Sequence, residues 1–357
     1  MLPELEYLSW IAGRPEAATH DLASSDLRPE GPDDAVVPDP LRDLPAADGR
    51  SLEARLADRY DVSPEAVLVT AGATGAVFVA VATALADGER VLVESPGYEP
   101  HHATPAGLGA TVDRFDRPRS DGYALDPNRV DSALCSETAL VAVTNRHNPS
   151  GARTDRETLA AVADRATDHG ARLLVDEVYG PYAGDGGRGF GGVTAAGLDS
   201  AVTVGSLTKF HGLGELRVGW LVADESFVER ARRVQQHLGS VARPSRALAR
   251  RALANADALA EQSRTLAARN GDLLAAFLDE RPSLSGHVPA GCPYGLVRHA
   301  RFDGDDLAAV ADCEGGLVVP GRFFGVPDAV RVSLGRSPAE MEAALAAFGR
   351  ALDGADG

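Results

Sequence analysis

Residues 201–220, AVTVGSLTKFHGLGELRVGW, constrain this chain more than any other stretch. The apolar run 201–204 reads as a short buried strand. It feeds a glycine-rich connection that carries Ser206, Lys209 and, eight residues beyond the lysine, Arg217. A fold that accepts this stretch must bury a strand and release a hydroxyl, an amine and a guanidinium beyond its end. Lys209 is the single lysine of the chain, and every other residue among its 35 lysines plus arginines is arginine. A guanidinium stays protonated and cannot serve as a nucleophile, whereas an amine can. The retained lysine therefore points to chemistry.

Other segments end in the same way. The short strand 67–69 leads into TAGATGA and a helix over about 74–85. Glycine admits close backbone approach and the free amides of a helix start attract anions, so Gly72, Ala73 and Thr74 are candidates for a phosphate cup. The strand 90–94 ends in SPGYEPHH, from which Tyr98 emerges after a proline-glycine turn. The strand 139–143 runs into TNRHNPSGA, which holds Asn148, Pro149, Ser150 and Gly151. In RLLVDEVYGPY an apolar strand ends at Asp176, placing an acid where open α/β sheets bind ligands, with Tyr179 three residues on. A buried carboxylate is costly unless paired. Late in the chain VVPGRFFG precedes the strand AVRVSL, which carries Arg331.

A hydroxyl, an amine able to form a Schiff base and a cation suited to a phosphate are what an aldehyde cofactor bearing a phosphate requires. Pyridoxal 5'-phosphate fits. The S-x-x-K motif followed by R-V-G, together with the GAT loop, P-G-Y, N-P-S-G, D-x-x-Y and the late arginine in that order, resembles the fold-type I, class I/II aminotransferases, which use this cofactor. The resemblance runs over about residues 52–352.

It implies an α/β fold: a mostly parallel seven-stranded sheet flanked by helices, with a smaller α/β domain. Residues 49–245 would form the large cofactor-binding domain, and 1–48 with 246–357 the small one. Lys209 would carry the cofactor and move protons, Asp176 would pair with the ring nitrogen, and Tyr98 would stack on the ring. Asn148 and Tyr179 would bond its phenolic oxygen, while Gly72, Ala73, Thr74, Ser206 and Arg217 would hold the phosphate. Arg331, with Asn148, would bind the substrate carboxylate. Nearby cations and burial are expected to depress the Lys209 pKa. His147 is a candidate partner behind the carboxylate, and the passage HDLASSDL, residues 20–27, resembles one that brings backbone groups to the substrate. The family also implies a homodimer, with Arg243 near the neighbouring site. Many relatives place a tyrosine where DLPAADG here offers Leu44, which leaves the subfamily open.

The expected activity is transfer of an amino group between an α-amino acid and a 2-keto acid. A lyase, decarboxylase or cyclase would use the same constellation, because the cofactor does the difficult chemistry. A non-catalytic sensor or scaffold would have no use for Lys209, Asp176 and Arg331 together. The sequence shows one carboxylate clamp and no second, which inclines the donor towards neutral or aromatic amino acids.

Composition narrows the partners. A formal charge of -17 over 357 residues argues against nucleic acid and anionic membrane surfaces. Acidic excess with almost no lysine reads as adaptation to a salty cytoplasm, where repulsion is screened over a few Å; equal folding and activity in dilute buffer would sink that reading. Cys135, Cys292 and Cys313 are few and far apart, so neither a disulfide framework nor a zinc site is expected, and core filling is their expected role. MLPELEYLSW lacks a basic region before an apolar core, and the apolar stretch 76–86 is too short to span a bilayer. The expected location is the cytoplasm.

Overall fold

Runs such as VLVT, RVLVES, TALVAVT and RLLVD are apolar on both faces, the pattern of strands covered by helices on either side. The structure, a computed structural model, describes residues 3–26, 36–184 and 187–356. Its strands among these residues are β1 (His20–Asp21), β2 (Val67–Thr70), β3 (Arg90–Ser95), β4 (Thr111–Asp116), β5 (Thr138–Thr144), β6 (Arg172–Asp176) and β7 (Ala201–Ser206). There follow β8 (Gly219–Val222), β9 (Leu284–His287), β10 (Tyr294–His299), β11 (Gly316–Leu317), β12 (Val319–Pro320) and β13 (Val330–Ser333).

The large sheet has seven strands in the order β2-β8-β7-β6-β5-β3-β4. Strands β7, β6, β5, β3 and β4 pair in parallel. The exception is β8, which runs antiparallel to both β2 and β7. Five of the seven strands read as apolar runs; β4, TVDRFD, is mostly polar, and β8, which begins two residues beyond Arg217, is too short to be located from sequence.

Helices cover both faces. On one, Val77, Ala80 and Val81 of the helix Gly72–Ala84 and Phe227 and Val228 of the helix Glu225–Gln235 pack on Val91, Leu140, Leu174 and Val202. On the other, Leu159, Val162 and Ala166 of the helix Arg156–Asp168 pack on Leu92, Val141, Leu173 and Val175. Each fully buried valine or leucine contributes roughly 1.5–3 kcal/mol, so the strand ends rest on a stiff platform. Side-chain caps set where helices begin: Ser51, Asp155 and Asp224 accept from Ala54, Thr158 and Phe227 amides.

A four-stranded antiparallel sheet, β12-β13-β10-β9, and the parallel pair β1-β11 complete the architecture. Because β1 comes from the start of the chain and β11 from near its end, the two termini meet there. The 24-residue helix Ala256–Asp279 links the two regions, with Leu259 in the core beside the large sheet and Leu274 and Phe277 in that of the smaller one. Arg331 lies on β13, an inner strand, and is not an edge residue.

All three cysteines are free, but only Cys292 is buried; Cys313 is exposed, so core filling does not describe it. Among the described residues no helix is long and apolar enough to cross a membrane.

Candidate active site

Parallel strands end together, so the residues at their carboxyl ends face one crevice. Here β5 delivers Thr144, β6 Asp176 and β7 Ser206, while the turn after β3 delivers Tyr98. They line a cavity of about 490 Å³, and of the residues expected to hold cofactor and substrate all but Gly72 line it directly: Ala73, Thr74, Tyr98, Asn148, Asp176, Tyr179, Ser206, Lys209, Arg217 and Arg331; His147 and Arg243 do not.

Gly72 sits behind one end. It opens the helix Gly72–Ala84 with φ of 75°, and a Cβ there would lie 2.7 Å from Arg217 Nη2. A Cβ on Gly219 would lie 2.3 Å from the Gly72 carbonyl carbon, so two glycines let β8 and the loop close on each other. No side chain caps this helix start, which leaves its first amides open beside the Arg217 guanidinium. Arg217 itself is held in the left-handed region, with φ of 48° and ψ of 47°. Together these groups make an anion cradle.

Asp176 is 4% exposed; its Oδ1 accepts from the Val178 amide at 3.1 Å and its Oδ2 lies 3.3 Å from His101 Nε2. The partner behind the carboxylate is thus His101. His147 is turned elsewhere, towards Ser150 Oγ at 2.6 Å and the Pro96 carbonyl at 2.9 Å, which corrects the sequence expectation. His101 follows Tyr98 by three residues on the helix Glu99–Gly107, and the two rings meet edge to face. Glu177, next to Asp176, accepts from the Ala195 amide at 2.7 Å, and burial pushes its carboxyl up to about 8.

At the opposite end, Arg331 is 1% exposed. Its Nη1 donates to Asn148 Oδ1 at 2.9 Å, its Nη2 to the Tyr7 hydroxyl at 3.2 Å, and its Nε has no partner. Among the described residues no carboxylate pairs with it. A buried guanidinium without an acid calls for an anion from outside. Because Asn148 spends its carbonyl on Arg331, its amide donors remain for another ligand. Tyr7 was missed from the sequence; it is brought in by Glu99, whose two carboxylate oxygens accept from the Glu6 and Tyr7 amides at 2.7 and 2.8 Å.

Tyr179 lies between the ends, with its hydroxyl 2.8 Å from Ser25 Oγ and its ring edge-on to Tyr294. The segment 20–27 does reach the cavity through Ser24, Ser25 and Asp26, although Leu27 falls outside the described residues. Lys209 also lines it. Burial pushes the amine's pKa down, but Tyr179, Asp26 and Tyr7 outweigh that and leave it above the ordinary lysine value. The protein groups alone therefore do not depress it, contrary to expectation.

Two arginines that follow Arg243, Arg246 and Arg251, bind protein groups. Arg246 pairs with Glu53 at 2.7 Å, and Arg251 donates to the Leu44 carbonyl at 2.8 Å.

The residues present suit pyridoxal 5'-phosphate. The cradle matches a phosphate, the buried Asp176 a protonated ring nitrogen, the Asn148 amide and Tyr179 hydroxyl a phenolate, and the Lys209 amine a carbonyl.

The aminotransferase class I and II family model matches residues 33–348. A histidinol-phosphate aminotransferase of Halorubrum lacusprofundi is 30% identical over 331 residues, covering 90% of this chain and 86% of its own. A capreomycidine synthase of Streptomyces vinaceus is 29% identical over 320 residues, covering 87% and 81%. Among solved structures, a PLP-dependent aminotransferase from Streptococcus suis superposes with a TM-score of 0.83 at 23% identity, over 99% of this chain and 98% of that one. A mutant Thermus thermophilus aspartate aminotransferase does so with a TM-score of 0.78 at 25% identity, over 95% and 99%.

Proposed function

Because the chain belongs to the aminotransferase class I and II family, and is a pyridoxal-phosphate-dependent aminotransferase acting between amino acids and 2-keto acids, we propose that its work is divided among the cavity residues as follows. Pyridoxal 5'-phosphate supplies the carbonyl that takes up the substrate amine and the ring that draws electrons from the substrate Cα. Lys209 Nζ would hold the cofactor and would serve as the base for the Cα proton. Asp176 holds a proton on the ring nitrogen, and His101 holds Asp176. The amides at Ala73 and Thr74, with Ser206 and Arg217, bind the phosphate. Tyr98 covers one face of the ring, and Asn148 and Tyr179 orient its phenolic oxygen.

Arg331 binds the substrate α-carboxylate as a fork, with Asn148 and Tyr7 fixing its plane. The observation that carries this assignment is the guanidinium buried at 1% exposure with, among the described residues, no acidic partner and one orphaned nitrogen. The names of the relatives, which run from histidinol phosphate to arginine and aspartate or prephenate, do not select a donor.

Residues 49–245 act as the cofactor-binding unit and 1–48 with 246–357 as the smaller unit, a division supported by the two sheets and the helix between them. The working form is a homodimer, which the exposure of Arg217 at the phosphate end supports, and its place is the cytoplasm, in keeping with three unpaired cysteines.

Borohydride reduction of the cofactor-loaded protein followed by peptide mapping tests the attachment. The label is expected on Lys209. A label elsewhere, or none in a protein that binds the cofactor, overturns the assignment, and an Arg331→Gln protein whose visible spectrum responds to amino acids at the same concentrations as the parent overturns the role of Arg331.

A further inference from the structure

The cavity holds one carboxylate to which the aminotransferase reading assigns no role. Three of its cations have partners in the reading above: Arg217 the phosphate, Arg331 the α-carboxylate, Lys209 the cofactor carbonyl. Of its carboxylates, Asp176 faces the ring nitrogen, and Glu16 at the exposed rim has a partner of its own. One remains. Asp26 lines the same cavity, half-buried, and among the described residues no hydrogen bond or ion pair reaches its carboxylate. A Cβ on Gly214 would stand 3.7 Å from Asp26 Oδ2. Its charge is felt at Lys209 and Tyr182, so it lies close to the reacting end.

Its placement is not accidental to the loop. Leu22 donates to the Leu317 carbonyl at 2.8 Å, and Ser333 Oγ donates to the Ala23 carbonyl at 3.0 Å, which pins the chain just before the turn. Ser25 is then held by Tyr179. A carboxylate fixed in a partly desolvated cavity carries a cost that a cation from the ligand would offset. Leu8, Ile11, Ala12 and Pro15 of the chain start line the same cavity and give it an apolar wall. An apolar stem with a positive tip is the ligand that such a surface complements.

We propose that Asp26 is a specificity-determining residue, and that the amino donor is an amino acid with a basic side chain, its α-carboxylate on Arg331 and its side-chain cation on Asp26. This rests on the aminotransferase reading and narrows it, and it replaces the neutral or aromatic preference drawn from the sequence.

The test pairs isosteric donors with the cofactor-loaded enzyme. Arginine and citrulline differ in charge at nearly constant shape, and lysine and norleucine give a second pair. A basic donor is expected to exceed its neutral partner by about tenfold or more in kcat/KM, since a close charge pair in a partly desolvated site is worth that much. Asp26→Asn is expected to bring the ratio towards one. A second readout needs neither turnover nor a variant: calorimetric binding of 5-guanidinopentanoate, which has no α-amine to transfer, against 5-ureidopentanoate. Tighter binding of the guanidino compound supports the assignment. Equal affinities and equal kcat/KM in both pairs overturn it, as does an Asp26→Asn protein, loaded and folded, that keeps the wild-type ratio. If no amino acid changes the spectrum at all, the failure lies with the aminotransferase reading and not with Asp26.

Discussion

The phosphate and ring end of the cavity takes Thr144, Asp176 and Ser206 from the carboxyl ends of adjacent strands, whereas the substrate end gathers Tyr7, Ser25, Asn148 and Arg331 from across the chain. The first end is rigid by construction, since β5, β6 and β7 are zipped by parallel ladders and buried on both faces. The second depends on the chain termini meeting through β1 and β11 and on Glu99 tethering the first helix. The difference teaches that one cavity can be half local motif and half tertiary assembly. Damage to the two halves should therefore look different: loss of chemistry or global stability at the sheet end, loss of substrate affinity at the other.

Lys209→Ala should show the largest effect. Turnover should fall by at least about 10⁴-fold, the upper range of general acid–base contributions, measured as single-turnover spectra of the amino-acid half-reaction, while the melting temperature of the protein stays close to that of the parent. A fall of less than about tenfold would break the assignment of this end to chemistry.

Glu177 tests the rigidity of the same end through pH. Its folded pKa is raised by burial to about 8 from an ordinary 4.5, so folding favours its protonated form. The stability it contributes is fully present below about 4.5 and is lost as pH rises through about 8. Glu177→Gln should flatten the fall in unfolding free energy between those pH values by up to about 5 kcal/mol, read from denaturant titrations at several pH values. Parallel slopes for both proteins would mean that this buried acid does not govern the platform.

Arg331→Gln probes the assembled end. It should raise KM for amino donors by about 10²–10³-fold, the equivalent of about 3–4 kcal/mol for a buried charge contact, with a smaller change in kcat. If kcat falls and KM holds, the division of labour between the two ends is wrong.

Tyr7→Phe is the mildest change. It removes only the hydroxyl that accepts from Arg331 Nη2, so KM should rise by roughly fivefold for a loss of about 1 kcal/mol, with the cofactor spectrum unchanged. An effect as large as that of Arg331→Gln would show that Tyr7 does more than orient the guanidinium.

The legibility of the site follows the same division. Lys209, Asp176, Asn148 and Arg217 sit in short motifs at strand ends, and a strand end can be read from an apolar run followed by a break. His101 is not legible as a partner because Asp176 is 75 residues away in the chain. His147, adjacent to Asn148 in sequence, looked like the better partner and is turned to Ser150 instead. Tyr7 carried no signal beyond being one aromatic in a short amphipathic helix, because its role depends on Glu99 and Arg331, 92 and 324 residues away. The strand β8 was missed because four residues after a turn give periodicity too little length to register.

By itself the sequence determined the cofactor chemistry and the sheet that supports it, because a single lysine, an acid and an arginine at fixed distances from buried strands are local facts. Only the tertiary structure decided which histidine backs Asp176, that Arg331 meets no acid among the described residues, which neighbours push the Lys209 pKa up, and that Asp26 lines the cavity with no hydrogen-bond or ion-pair partner among the described residues. Those are properties of distance in space and of desolvation, and electrostatic energy depends on both, neither of which is written in the order of residues along a chain.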